Sequence, residues 1–135
     1  MITGIQIGQI HIIGPTSNLQ GKSYYLLIKA IISLLKLLYR FSGSAAIATG
    51  LLTLLKSGDH IVASSSLYGG TFNLLNVTLP RLGITTTFVD ASDPSSFAEA
   101  TQENTRAFFV ESLGNPKLDV LDLEAISEHA KVARV

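Results

Sequence analysis

From Ser44 to Ala133 the chain alternates helix-like with strand-like runs, and this alternation limits the fold more than any other feature of its 135 residues. "SAAIATGLLTLLK" (44–56) is rich in Ala and Leu and apolar around most of its circumference, which predicts a buried helix stopped by Gly58. "HIVAS" (60–64) is a short β-branched strand, and "TFNLLNVTLPRL" (71–82) starts as a helix and meets Pro80 near its end. "ITTTFVD" (84–90) is a second strand, and Asp93 and Pro94 open a short helix as its cap and first helical residue. "RAFFVES" (106–112) is a third strand. "DLEAISEHAKVA" (122–133) is a closing helix with Leu123, Ile126 and Ala130 on one face. Strands joined by helical crossovers pair in parallel. The fold class expected is therefore α/β, a mostly parallel sheet with flanking helices. Such sheets hold ligands at the carboxyl ends of their strands, which directs attention to the loops after Val62, Val89 and Val110.

Residues 1–41 have a different character, with no Asp or Glu among them. "GPTSN" (14–18) is a turn cluster. "YYLLIKAIISLLKLLYR" (24–40) is an amphipathic helix pattern, with Leu27, Ile31, Leu34, Leu35 and Leu38 on one face and Lys29, Ser33, Lys36 and Arg40 on the other. Its cations argue against a membrane span. A helix packed on the sheet and a helix lying on an anionic membrane surface both fit the pattern. No secretory signal pattern is present.

Ten basic and ten acidic residues balance, so no global field points to nucleic acid. The absence of cysteine excludes disulfides, thiolate zinc sites and a cysteine nucleophile. His11, His60 and His129 lack metal-ligand spacing, so no metal site is expected.

Three loops carry candidate chemistry. "FSGSAAI" (41–47) puts Gly43 and Ser44 before a helix, where free amides suit an anion, although ordinary capping uses the same residues. "SSSLYGG" (64–70) offers Tyr68, whose ring is able to lie on a flat ligand or simply pack on the core. "GNPK" (114–117) offers the Asn115 amide, in a pattern that also marks a plain turn. Together, a phosphate cradle, a stacking ring and an amide on one sheet edge suggest a planar phosphorylated cofactor.

"SGSAAIATGLLTLLKSGDHIVASSSLYGGTFNLLNVTLPRLGITTTFVD" and "ESLGNPKLDVLDLEAISEHA" resemble the Cys/Met-metabolism family of pyridoxal-phosphate (PLP) enzymes, over about residues 42–133. The branch most resembled is that of O-acetylhomoserine sulfhydrylases (homocysteine synthases), with cystathionine γ-synthases, cystathionine lyases and methionine γ-lyases as relatives. The resemblance implies an aspartate-aminotransferase-like (type I) large domain and PLP as cofactor. It also implies an amino-acid substrate, a cytoplasmic setting and a homo-oligomer. By the same resemblance the amides of Gly43 and Ser44 hold the PLP phosphate. Tyr68 stacks on the ring and helps move a proton, as the catalytic residue. Asn115 approaches the ring hydroxyl or the substrate carboxylate.

The departures set further expectations. The family's Schiff-base lysine lies in a Ser-x-Thr-Lys context that none of Lys22, Lys29, Lys36, Lys56, Lys117 and Lys131 has. The family's ring-nitrogen aspartate, in an Asp-Asn-Thr segment, is also missing. Upstream, "IGQIHIIGPTSNLQGK" (7–22) keeps Pro15 and Thr16 of the relatives' pattern, with His11 near the place of a tyrosine. The expected organisation is a divergent segment, 1–41, followed by a truncated PLP-binding α/β domain, 42–135. The alternative readings are a non-catalytic remnant of such an enzyme and another member of the family. A chain lacking the lysine is expected to be inactive alone.

Overall fold

The computed structural model describes residues 43–113 and 120–135, and the backbone of two strands at 4–7 and 10–13. The amphipathic pattern at 24–40, Asn115 and Lys22, Lys29, Lys36 and Lys117 lie outside the described residues.

The chain order is β1 (Gly4–Ile7), β2 (Ile10–Ile13), α1 (Gly43–Leu54), β3 (His60–Ser64), α2 (Gly69–Asn73), β4 (Thr85–Val89), α3 (Ser95–Glu99), β5 (Thr105–Glu111) and α4 (Leu123–Ala133). The sheet runs β1-β2-β5-β3-β4. β3 pairs in parallel with β4 and with β5, as helical crossovers require. β1 and β2 add an antiparallel hairpin beside β5, which places Ile10 opposite Glu111.

Side chains alternate across a strand, and here both faces are covered. Ile61 and Ala63 of β3 and Ala107 and Phe109 of β5 meet Ile47 and Leu51 of α1 and Leu75 beyond α2. Val62, Phe108 and Val110 point the other way, onto Phe97 of α3 and Ile126 and Ala130 of α4. Burial on two faces explains why β3 and β5 read as continuous apolar runs.

β3 has the expected bounds, and most other element ends differ from the sequence expectation by one or two residues. α1 ends at Leu54, and Gly58 forms the following turn, at φ 93°, with its N–H bonded to the Gly83 carbonyl at 2.8 Å. Pro80 stands near the end of the helical path after α2, as expected, two residues before its last residue, Leu82. A π turn (Leu74–Thr78) lets the Leu79 N–H reach back to the Leu74 carbonyl, and a 3-10 turn (Leu79–Leu82) follows. Pro80 has no N–H to return to the preceding turn, so widening the ladder just before it accommodates the ring. Gly83, at φ 77°, closes this path. Asp93 stands one residue outside the cap position of α3, and its Oδ1 accepts the Ser95 N–H at 3.0 Å. Asp122 caps α4 by accepting the Ala125 N–H at 3.0 Å.

At the amino edge of the sheet His60 is only 1% exposed. Its Nδ1 lies 2.8 Å from Thr105 Oγ1 and its Nε2 2.9 Å from Thr87 Oγ1, so one ring ties β3 to both parallel neighbours. Burial pushes the imidazole below its ordinary value of 6.5. The folded state therefore favours the neutral ring, and the unfolded chain takes up the proton first as pH falls. The stability that this group contributes is complete above pH 6.5 and declines below it, until the folded ring itself protonates. Melting temperatures between neutral and mildly acid pH should fall less steeply in His60→Gln than in the unmodified chain. Equal slopes would show that His60 is not the group responsible.

Candidate functional site

The carboxyl edge of the sheet is shaped by the turn between β3 and α2. Ser64 is buried and its Oγ accepts the Ser66 N–H at 3.1 Å, while the Ser65 N–H donates to the Val89 carbonyl at 2.8 Å. The loop is thus sewn to the ends of both β3 and β4. Leu67 turns into the core and Tyr68 turns out, 57% exposed.

Gly70 is the seat of the Tyr68 ring. A Cβ there would lie 2.7 Å from Tyr68 Cε1, so the ring occupies space that any other residue would fill. From the end of β5, the Glu111 carboxylate reaches the same turn. Its Oε2 accepts the Tyr68 N–H at 3.0 Å and its Oε1 accepts the Thr71 hydroxyl at 3.1 Å. A carboxylate at a helix N-terminus also meets the favourable end of the helix dipole. Glu111 and Thr71 are absent from the residues expected from sequence. The available signal is a lone acidic residue after the apolar run "AFFV", facing a loop rich in N–H donors.

Gly43 and Ser44 are the first two residues of α1, not the residues before it, and both are exposed. The first amides of a helix have no intrahelical acceptor. Among the described residues, nothing lies within 4 Å of the position where a Gly43 Cβ would stand. The structure joins Tyr68 with Glu111 and Thr71, and it puts Gly43 and Ser44 at the start of a neighbouring helix, α1, which touches α2. Asn115 lies outside the described residues.

These donors fit PLP in kind: amides in the first described turn of α1 for a phosphate, and an exposed ring with a fixed seat for a pyridine. The described lysines do not add to the set. Lys56 lies between α1 and β3, before the strand rather than at its carboxyl end, and Lys131 donates to Glu128 at 2.5 Å on the exposed face of α4. Among the described residues no three His, Asp or Glu side chains gather to hold a metal ion. Among them too, no helix is long and apolar enough to cross a membrane.

The model of the Cys/Met metabolism PLP-dependent enzyme family matches residues 26–135. The chain belongs to this family. O-acetyl-L-homoserine sulfhydrylase of Leptospira meyeri is 57% identical over 90 residues, which cover 67% of this chain and 20% of that protein. Homocysteine synthase of Schizosaccharomyces pombe is 55% identical over 94 residues, or 70% of this chain and 22% of its own length. Among solved structures, an O-acetylhomoserine sulfhydrylase of Wolinella succinogenes superposes with a TM-score of 0.66 at 41% identity, covering 70% of this chain and 27% of that one. The matched part of this PLP-dependent family member spans about a fifth of the length of its curated relatives. Its parallel strands and their flanking helices are a portion of the type I large domain that the resemblance implies.

Proposed function

We propose that this protein serves PLP-dependent sulfur amino-acid metabolism, in a reaction of the O-acetylhomoserine sulfhydrylase type. Sulfide replaces the acetoxy group of O-acetylhomoserine, giving homocysteine and acetate. The observation that carries this reading is the Tyr68 turn. An exposed ring, seated on Gly70 and tied to Glu111, stands at the carboxyl edge of a parallel sheet, in a segment shared with sulfhydrylases.

PLP, when bound, supplies an electron sink for bonds around the amino-acid α-carbon. The chain's own residues bind and orient. The amides of Gly43 and Ser44 take the phosphate without a charged side chain. The Tyr68 ring would cover one face of the pyridine and exclude water there, and its hydroxyl would hold or move a proton. Asn115 orients the ring hydroxyl or the substrate carboxylate. Homo-oligomeric assembly in the cytoplasm belongs to the same proposal.

The test is PLP affinity of the full chain, measured by equilibrium dialysis. Tyr68→Ala should weaken binding about two- to thirteenfold, the equivalent of ~0.5–1.5 kcal/mol for an aromatic contact. Tyr68→Phe should retain the affinity, because stacking needs the ring and not the hydroxyl. Equal affinity in the alanine variant would remove Tyr68 from the site.

A further inference from the structure

A carboxylate buried at the tip of a strand must be matched by donors, or burial costs more than the fold recovers. Glu111 is 7% exposed and follows four buried residues, Ala107 to Val110. Each of its oxygens has its own donor, the Tyr68 N–H and the Thr71 hydroxyl, three residues apart around the start of α2. Two separate anchors fix a turn in rotation as well as in position, which one anchor cannot do. Both parallel and antiparallel neighbours hold β5 itself, so the carboxylate projects from a braced strand. Tyr68 has its amide held by Glu111 on one side and its ring seated on Gly70 on the other.

We propose that Glu111 is a positioning residue. Its carboxylate holds the Tyr68 turn in place before any ligand arrives, so that the exposed ring is presented ready-made to a planar phosphorylated ligand. A ligand then bears little of the cost of ordering the loop. The inference rests on the PLP reading for the identity of that ligand. The tie itself is independent of it.

Six variants of the full chain test the proposal: Glu111→Ala, Tyr68→Ala, the two combined, Glu111→Gln, Thr71→Val and the Glu111→Gln/Thr71→Val pair. Two quantities are read in each, the exchange rate of the Tyr68 amide hydrogen without PLP and the dissociation constant for PLP. Glu111→Ala should speed exchange of the Tyr68 amide about tenfold or more relative to the amides of β3, since a hydrogen bond to a charged acceptor is lost. PLP affinity should fall as far as in Tyr68→Ala, and combining those two substitutions should add nothing. Glutamine can turn its carbonyl to the Tyr68 N–H and donate its NH2 to the Thr71 hydroxyl oxygen. Glu111→Gln should therefore restore both readouts. The restoration should disappear in the pair with Thr71→Val, which removes the acceptor. A purely structural carboxylate has no reason to show this pattern of rescue.

The proposal is overturned if Glu111→Ala leaves Tyr68 amide exchange unchanged. It is equally overturned if the PLP losses of Glu111→Ala and Tyr68→Ala add, or if glutamine fails to rescue. An unmodified chain that binds no PLP, yet shows the exchange pattern, sinks the function proposed above and supports the positioning role by itself.

Discussion

Phe108→Ala should lower the melting temperature of this chain by about 10–20 °C, the largest effect expected of a single substitution in the fold. Phe108 is fully buried in β5, the strand paired on both sides, and its ring lies 5.2 Å from that of Phe97 in α3, tilted by 47°. Truncation removes the side chain that joins the sheet to α3, and the surrounding residues only partly collapse into the space. Losses of ~3–5 kcal/mol are usual for such sites, against a total stability of about 5–15 kcal/mol for a domain. Phe108→Leu keeps most of the volume and should cost less than about 1.5 kcal/mol. Thermal melts followed by circular dichroism decide the matter. An alanine variant that melts within a few degrees of the unmodified chain would show that α3 does not pack on this face as described.

Gly83→Ala is the second. Gly83 sits at φ 77° where the chain leaves the 3-10 turn, and its carbonyl accepts the Gly58 N–H at 2.8 Å. A left-handed backbone costs an alanine about 1–2 kcal/mol. The new Cβ would also fall 2.2 Å from Ser57 Oγ and 3.2 Å from Ser57 Cβ. The hydroxyl can rotate away, but Cβ cannot, so contact adds to strain. The total loss should be about 2 kcal/mol by denaturant titration. Repeated in a Ser57→Gly background, the same substitution should cost only the backbone part, because both obstructing atoms are gone. Identical losses in the two backgrounds would mean that Ser57 does not obstruct the site.

The parallel core was legible in the sequence because its strands are covered on both faces. Ile61, Val62 and Ala63 form an unbroken apolar run even though they serve opposite layers. The hairpin of β1 and β2 was less visible. Ile5, Ile7, Ile10 and Ile12 punctuate the segment, but two four-residue strands make a short signal beside the stronger turn cluster at 14–18. Pro80 was readable as an interruption, whereas the π turn that absorbs it depends on how Leu75 and Leu79 seat in the core. In the candidate site, glycines and serines mark Gly43, Ser44 and Tyr68 locally. Glu111 carries no such local mark, since its two partners lie 43 and 40 residues earlier in the chain. Patterns within a window of a dozen residues do not reach that far.

The position of β5 also sets how far apart in sequence the paired segments of the sheet lie. Its parallel pairing with β3 joins residues about 45 apart, and its antiparallel pairing with β2 joins residues about a hundred apart, while β3 and β4 are only about 25 apart. Each doubling of a closed loop adds only about 0.6 kcal/mol of entropy cost, so the finished sheet is hardly weakened by these long connections. Assembly rates feel them more, because distant segments must meet before their contacts reward them. The turn bearing Tyr68 therefore lies between the two parallel strands nearest each other in sequence. Glu111, its anchor, comes from the strand that completes the sheet.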